Sequence, residues 1–138
     1  MQVKPLSPED VTINGVKPYE VVNEEVLKKL GTPKEIKESN GVDGRFKDYI
    51  YPNFIMSTYF ENDQIEKIML FKITNSNFKT SRGIIVGDDV KKLFEKYGVV
   101  KLEEDRYYYE YIPKSDFERS YLMVVKVKNN KIQEILFQ

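Results

Sequence analysis

The fold predicted from this sequence rests on two short stretches, NDQIEKI at residues 62–68 and NNKIQEI at residues 129–135. Each begins with a polar turn pair and continues as an alternating strand, and the two lie 67 residues apart. The pairs Leu30-Gly31 and Tyr97-Gly98, which are typical of helix ends, keep the same spacing. A helix end and a hairpin turn that recur at one interval indicate a single α/β unit that is duplicated.

The first predicted repeat covers about residues 11–74. A helix is expected over residues 24–30, with Asn23 as its cap, acidic residues in its first turn and lysines in its last. Turn signals at Pro52-Asn53 and after Glu61 separate the strands that follow. These strands are predicted over residues 45–51, 54–61 and 65–74, and residues 40–44 are expected to form an exposed loop.

The second predicted repeat covers about residues 78–138 and keeps the same order. A short strand over residues 84–86 leads to a helix over residues 89–97, for which Asp88 is the expected cap. Three further strands are predicted over residues 106–112, 119–128 and 131–137. The Pro-rich residues 1–10 are expected to form an extended N-terminal linker.

These elements predict an α+β fold in which two tandem helix-plus-antiparallel-meander units share one sheet, with both helices packed on one face. One such unit cannot bury both a helix stripe and a sheet face, whereas two units side by side can. Residues 1–138 are therefore expected to form a single domain.

The composition narrows the function classes. The 22 basic and 22 acidic residues cancel, so the chain lacks the positive field of a general nucleic-acid-binding protein. With no cysteine and no histidine, it lacks thiolate chemistry, the commonest neutral metal ligand and the commonest general base. No apolar run approaches the ~20 residues of a membrane span. We expect no cofactor, no bound metal and no catalytic residues.

The stretch Thr80-Ser81-Arg82-Gly83-Ile84-Ile85-Val86-Gly87-Asp88, followed by Tyr97-Gly98, resembles a pattern T-x-R-G-I-x-x-G-D before Y-G in bacterial proteins with the β-lactamase-inhibitor-like fold. Leu30-Gly31-Thr32-Pro33 is similar to a helix ending in the small bacterial outer-membrane-assembly lipoproteins. The resemblance implies an exported, often lipid-anchored protein with a protein-binding or envelope role. It implies no catalytic residue, and any lipid anchor is missing from this sequence, which has no cysteine.

The glycines of this stretch also allow a second interpretation, a backbone nest for an anion at a helix N-terminus. An acidic cap at Asp88 would already occupy the helix dipole and would repel phosphate. We therefore interpret Gly83 and Gly87 as turn residues and this stretch as structural.

The strand patterns predict the binding surface. Met56, Thr58 and Phe60 align at the repeat spacing with Met123, Val125 and Val127, a helix-facing set. The opposite face should be polar where it meets water, yet it also carries apolar residues. The predicted partner-binding residues are therefore Ile55, Tyr59, Leu122 and Val124, together with the strand tyrosines Tyr107, Tyr109 and Tyr111 as aromatic anchors.

The sequence thus predicts a non-catalytic module that presents an apolar and aromatic sheet face to a protein partner, in the cell envelope of a bacterium or secreted from it. Two alternatives stay open. One is a structural envelope component that self-associates, for example as a homodimer, and the other is a binder of a small ligand or polysaccharide that uses stacked tyrosines.

Overall fold

A seven-stranded antiparallel sheet with two α-helices forms the fold in the computed structural model, which describes residues 2–138. The strand order is β1-β2-β3-β4-β7-β6-β5, so β4 and β7 are paired near the centre while β1 and β5 lie at the edges. The elements are α1 Glu24–Leu30, β1 Glu35–Gly41, β2 Gly44–Ile50, β3 Ile55–Glu61, β4 Ile65–Ile73, α2 Val90–Tyr97, β5 Arg106–Tyr111, β6 Tyr121–Lys128 and β7 Lys131–Phe137.

Both helices begin and end at local signals. The Asn23 side chain accepts a hydrogen bond from the Val26 amide at 2.9 Å and caps α1, as predicted. The cap of α2 is Asp89, which accepts from the Lys91 amide, so the prediction of Asp88 as the cap is wrong by one residue. The Asp88 carboxylate instead accepts from the Ile85 amide and closes the preceding turn.

The first hairpin is the main difference from the predicted secondary structure. Residues 35–41 form strand β1, which the sequence did not predict, and the predicted loop over residues 40–44 is a tight turn at Val42 and Asp43. All seven residues of β1 are exposed, so no apolar alternation marks the strand. The predicted strand over residues 84–86 is also wrong, since that segment is a turn before α2.

The N-terminal segment packs against the domain. Residues Pro8–Val11 form a 3₁₀ turn, and both Leu6 and Asp10 are buried. The Lys4 amide donates to the Tyr97 carbonyl at 3.0 Å, which attaches the segment to the end of α2. The prediction of an extended linker is therefore wrong for residues 6–10.

The core lies between the helices and one face of the sheet. Val26 and Leu30 of α1 and Leu93 and Tyr97 of α2 belong to one buried cluster with alternate residues of the inner strands. Its sheet members in β3, β4, β6 and β7 are Met56, Ile68, Phe71, Ile73, Met123, Val125, Ile132, Ile135 and Phe137. Because strand side chains alternate between faces, the residues between these members point to the opposite face.

Candidate functional site

The face of the sheet away from this core, here called the open face, carries one row of residues that crosses all seven strands. Successive registers place Ile50 beside Ile55, Ile55 beside Lys72, and Lys72 beside Leu136. The row continues through Val124 to Tyr108 at one end, and it ends at Glu35 on β1 at the other. Five of its seven members are apolar or aromatic, and the charged Lys72 lies at its centre.

Burial confirms that this row is separate from the core. Val124 is only 3% exposed, yet it does not belong to the buried cluster under the helices. Ile55 and Leu136 are half-buried, and Tyr108 is 40% exposed. The row therefore offers accessible apolar surface at Ile55, Leu136 and Tyr108, whereas Val124 adds almost none.

Charged residues accompany the row on the open face. Lys72 lies within it and forms an ion pair with Glu134, with 3.7 Å between the ammonium nitrogen and the carboxylate oxygen. Arg106 and Glu110 lie on either side of Tyr108 along β5 and share its face. Apolar residues rimmed by both charge signs resemble a docking surface more closely than a small-molecule cavity.

The predicted site residues fall on two faces. Ile55, Tyr59, Leu122 and Val124 lie on the open face, where the sequence placed them. Tyr107, Tyr109 and Tyr111 point the other way, because Tyr109 lies opposite Met123, a core residue.

Tyr109 is the clearest correction among these residues. It is 2% exposed, and its hydroxyl donates to the Gly98 carbonyl at 2.8 Å. Burial raises the pKa of this phenol, which therefore stays protonated as a donor. Its predicted role as a partner anchor is wrong. The tyrosine of β5 that reaches the open face is Tyr108, because strand alternation points it away from Tyr107 and Tyr109.

A second surface feature lies on the helix side, where the loop after β5 turns back. Tyr111 and Tyr121 have ring centroids 6.2 Å apart, and Tyr19 continues the array at 6.4 Å from Tyr121. The Arg119 guanidinium lies 3.9 Å over the Tyr19 ring. A cleft of about 420 Å³ opens beside this array and is lined by Pro8, Lys17, Tyr111, Phe117, Glu118, Arg119 and Tyr121.

The hydroxyl groups of the cleft are partly engaged. The Tyr111 hydroxyl donates to the Glu118 carboxylate at 2.7 Å, which lowers the pKa of Glu118 and raises that of Tyr111. Phe117 is fully exposed at the rim. The cleft therefore presents aromatic surfaces together with both charge signs, a combination that suits stacking against a sugar or another flat ligand.

The patterned stretch around Arg82 has its polar groups satisfied internally. The Arg82 guanidinium donates to both carboxylate oxygens of buried Asp10 and to the carbonyls of Lys4, Pro5 and Lys96. Burial opposes ionisation of Asp10, but hydrogen bonds from Ser7, Ser81 and Arg82 outweigh it and hold the pKa of this carboxyl below its usual value. Arg82 thus holds the N-terminal segment in place and has little capacity left for an external anion.

The Glu66 carboxylate is the centre of a second internal hydrogen-bond network. It accepts from the Tyr49 hydroxyl at 2.8 and 3.0 Å and from the buried Thr58 hydroxyl at 2.5 Å. Burial and the neighbouring carboxylate raise the pKa of Tyr49, so its proton stays on the phenol. This cluster ties β2, β3 and β4 together and leaves no unengaged nucleophile.

Within residues 2–138, no group of three or more carboxylates is arranged to hold a metal ion. No helix of this part of the chain is both long and apolar enough to cross a membrane. No family model matches the chain, and searches of curated proteins and of solved structures found no match. The resemblance to the β-lactamase-inhibitor-like fold therefore stays a prediction.

Proposed function

We propose that this protein is a non-catalytic binding module that docks a protein partner on the open face of its sheet. The observation that carries the proposal is the row from Ile50 to Tyr108, which is apolar at five of seven positions and has no helix over it among the described residues. An antiparallel sheet that faces water on one side normally alternates apolar and polar residues. The retained apolar residues are therefore explained best by a partner that covers them.

Affinity in this arrangement would come from the apolar row, and the charges beside it would set orientation. Tyr108 is suited to anchor the contact, since a tyrosine buries a large area with little loss of side-chain freedom. Lys72, at the centre of the row, would pair with an acidic group of the partner or keep its contact with Glu134.

Ile55 and Leu136 are the positions at which to test this proposal. Each is directly opposite Lys72, so a glutamate at either position gains a cross-strand cation and the sheet should stay intact. Immobilised wild-type protein should retain a partner from a cell-envelope extract, and Ile55→Glu or Leu136→Glu should lose it. Val42→Glu removes a fully exposed apolar residue at the tip of the β1–β2 hairpin and is the matched control.

Retention of the same partner by both glutamate variants, with the fold verified by circular dichroism, would refute docking on the open face. Equal loss in the Val42 control would indicate that non-specific apolar adsorption caused the capture.

A second candidate function, binding of a polysaccharide or small ligand, is favoured by the aromatic cleft beside Tyr111 and Tyr121. Stacking on these rings predicts that an oligosaccharide would shift the amide resonances of residues 112–120 and not those of β3. Tyr121→Ala should abolish those shifts, whereas Ile55→Glu should leave them unchanged. Shifts in neither region across a panel of oligosaccharides would count against this candidate.

We also propose that the sheet consists of two related units, as the sequence repeat predicts. Backbone hydrogen bonds support this: Tyr19 and Gly87 each donate to the strand of their own half that lies at the seam, to the carbonyls of Ile68 in β4 and Ile132 in β7, which are 64 residues apart. The residue after each of these acceptors is a bulge, Met69 in one half and Gln133 in the other.

The same 64-residue spacing relates Lys72 to Leu136, which lie directly opposite each other in the β4–β7 pair. A pseudo-two-fold axis through this pair would exchange the two halves. The spacing is 67 residues at the helix ends and at the hairpin turns but 64 after the turns, because three more residues lie between the turn pair and the bulge in the β3–β4 hairpin than in the β6–β7 hairpin.

The compartment proposed for this module, the cell envelope or the exterior of a bacterium, rests only on the resemblance of residues 80–88, 97–98 and 30–33. A fusion of the complete gene product to a periplasm-dependent reporter enzyme tests it. A fusion that is produced at full length but shows no reporter activity would refute it.

A further inference from the structure

The two edges of the sheet differ in how open they are. At the β5 edge, Glu103 exchanges two backbone hydrogen bonds with Arg106, at 2.9 and 3.0 Å, so a local turn covers the start of the strand. At the β1 edge, no strand of the described chain pairs with Glu35–Gly41 on the side away from β2, and all seven residues are exposed. A free edge of this length can add another strand.

The residues along this edge are self-complementary when the strand is paired antiparallel with a copy of itself. The sequence at residues 34–38 is Lys-Glu-Ile-Lys-Glu. Pairing about Ile36 sets Lys34 opposite Glu38 of the other copy and Glu35 opposite Lys37. Ile36, which is 52% exposed, then meets its own equivalent at the centre. Every charge in the register faces its opposite.

We propose that β1 is a self-association edge whose occupant is β1 of a second copy of this chain, in the antiparallel register centred on Ile36. A two-fold interface of this kind repeats each contact twice, so the two kinds of ion pair give four in all. The main-chain groups of the edge supply hydrogen bonds, and the charge pattern selects the register.

The neighbouring strand reinforces this pattern. Lys37 already lies opposite Asp48 of β2, and the second copy would place Glu35 on its other side. Glu38 lies opposite Lys47 and forms an ion pair with Arg45, and the second copy would add Lys34. Lys37 and Glu38 would thus each be flanked by opposite charges across three strands, whereas Glu35 has the apolar Ile50 on its β2 side.

The same interface would extend the binding surface. Glu35 is the end of the open-face row, so pairing of two β1 strands would join two open faces into one continuous sheet. A different role for alternating charges on an edge strand is protection against aggregation, in which case the protein would stay monomeric. These two roles predict opposite results in solution.

Sedimentation equilibrium of the full chain, from micromolar to millimolar concentration, tests the proposal. Wild-type protein should show a reversible monomer–dimer equilibrium that weakens as salt is raised, because exposed ion pairs are screened. Lys37→Glu and Glu35→Lys should each weaken dimerisation roughly tenfold or more, since each reversal makes two symmetric contacts repulsive.

A one-to-one mixture of these two variants is the decisive arm. The mixture restores every opposite-charge contact, so a heterodimer of about wild-type affinity should form. Glu110→Arg, on the other edge of the sheet, is the control and should dimerise as the wild type does.

A wild-type protein that stays monomeric at every concentration would overturn the proposal and assign the charges to edge protection. A dimer that survives both charge reversals but is lost in Leu136→Glu would also overturn it, because that result places self-association on the open face. Failure of the mixed variants to pair would exclude this register.

Discussion

Replacing Gly98 with alanine should destabilise the fold more than the same replacement at Gly31, although both glycines end a helix. Their backbone angles are nearly the same, with φ of 92° and 86° and ψ close to 180°. This region is essentially restricted to glycine, so each substitution should cost about 1–3 kcal/mol of unfolding free energy from backbone strain alone.

The surroundings of the two glycines differ. A Cβ atom at Gly31 would meet nothing within 4 Å, whereas at Gly98 it would lie 2.3 Å from the Gln2 carbonyl oxygen and 2.4 Å from the Val3 Cα. Those atoms are backbone, so the N-terminal segment would have to move away. Overpacking of this kind costs about 1–3 kcal/mol, so we expect Gly98→Ala to lower the free energy of unfolding by that much more than Gly31→Ala does.

Urea denaturation followed by circular dichroism measures both variants against the wild type. The same two substitutions in a chain that lacks residues 1–3 provide the control. Without Gln2 and Val3, the two alanine variants should be equally destabilised. Equal losses in the full-length chain would refute the close approach of the N-terminal segment to the end of α2. A difference that persists in the shortened chain would assign it to another cause.

The remaining predictions concern the internal networks and can be checked by the same denaturation assay. Arg82→Met should cost about 3 kcal/mol, because it leaves the buried Asp10 carboxylate without its cation; a loss below about 1 kcal/mol would contradict the role given to this pair. Because the pKa of Asp10 is lowered in the fold, its contribution is present above about pH 4 and is lost as the pH falls through the lowered value. Asp10→Asn should therefore make the unfolding free energy less dependent on pH in that acidic range, and an unchanged pH profile would argue against the assignment. Tyr109→Phe should cost about 1 kcal/mol through the lost hydrogen bond to Gly98, whereas Tyr108→Phe on the open face should cost almost nothing.

Local signals made the helices predictable from the sequence. Asn23 and Gly31 bound α1, and Gly98 ends α2, within a few residues of the apolar stripe that each helix buries. Strand β1 was not predictable in the same way, because an edge strand exposed on both faces needs no apolar alternation. Strand β1 forms because its backbone is hydrogen-bonded to β2, and this pairing leaves no pattern in the side chains of β1.

The candidate site was predictable in part for a related reason. Alternation correctly separates Tyr107, Tyr109 and Tyr111 from Tyr108, but it does not say which set faces the helices. That choice depends on the β5–β6 register, which sets Tyr109 opposite Met123, and a register is a non-local property. The open-face residues of β3 and β6 were predicted correctly, because their neighbours Met56 and Val125 gave an independent assignment of the core face.

The hydrogen-bond networks that hold the N-terminal segment could not be predicted from the sequence either, because their contacts are non-local. Asp10 and Arg82 are far apart in the chain, and each satisfies the polar groups of the other. In the sequence alone, Asp10 belongs to a Pro-rich start and Arg82 to a glycine-rich turn. In the fold, the Pro-rich start forms a buried 3₁₀ turn, and Arg82 of the glycine-rich turn is engaged by Asp10 and has little capacity left for an external anion.

Site-specific photo-crosslinking would show whether a protein partner covers the open face. A photoreactive amino acid at Ile55, in the apolar row, and one at Lys92, on the exposed side of α2, would be compared in cells that express the complete protein. Docking on the open face should give a crosslink to one discrete protein from position 55 and none from position 92. Crosslinks of equal yield from both positions, or only from position 92, would contradict it.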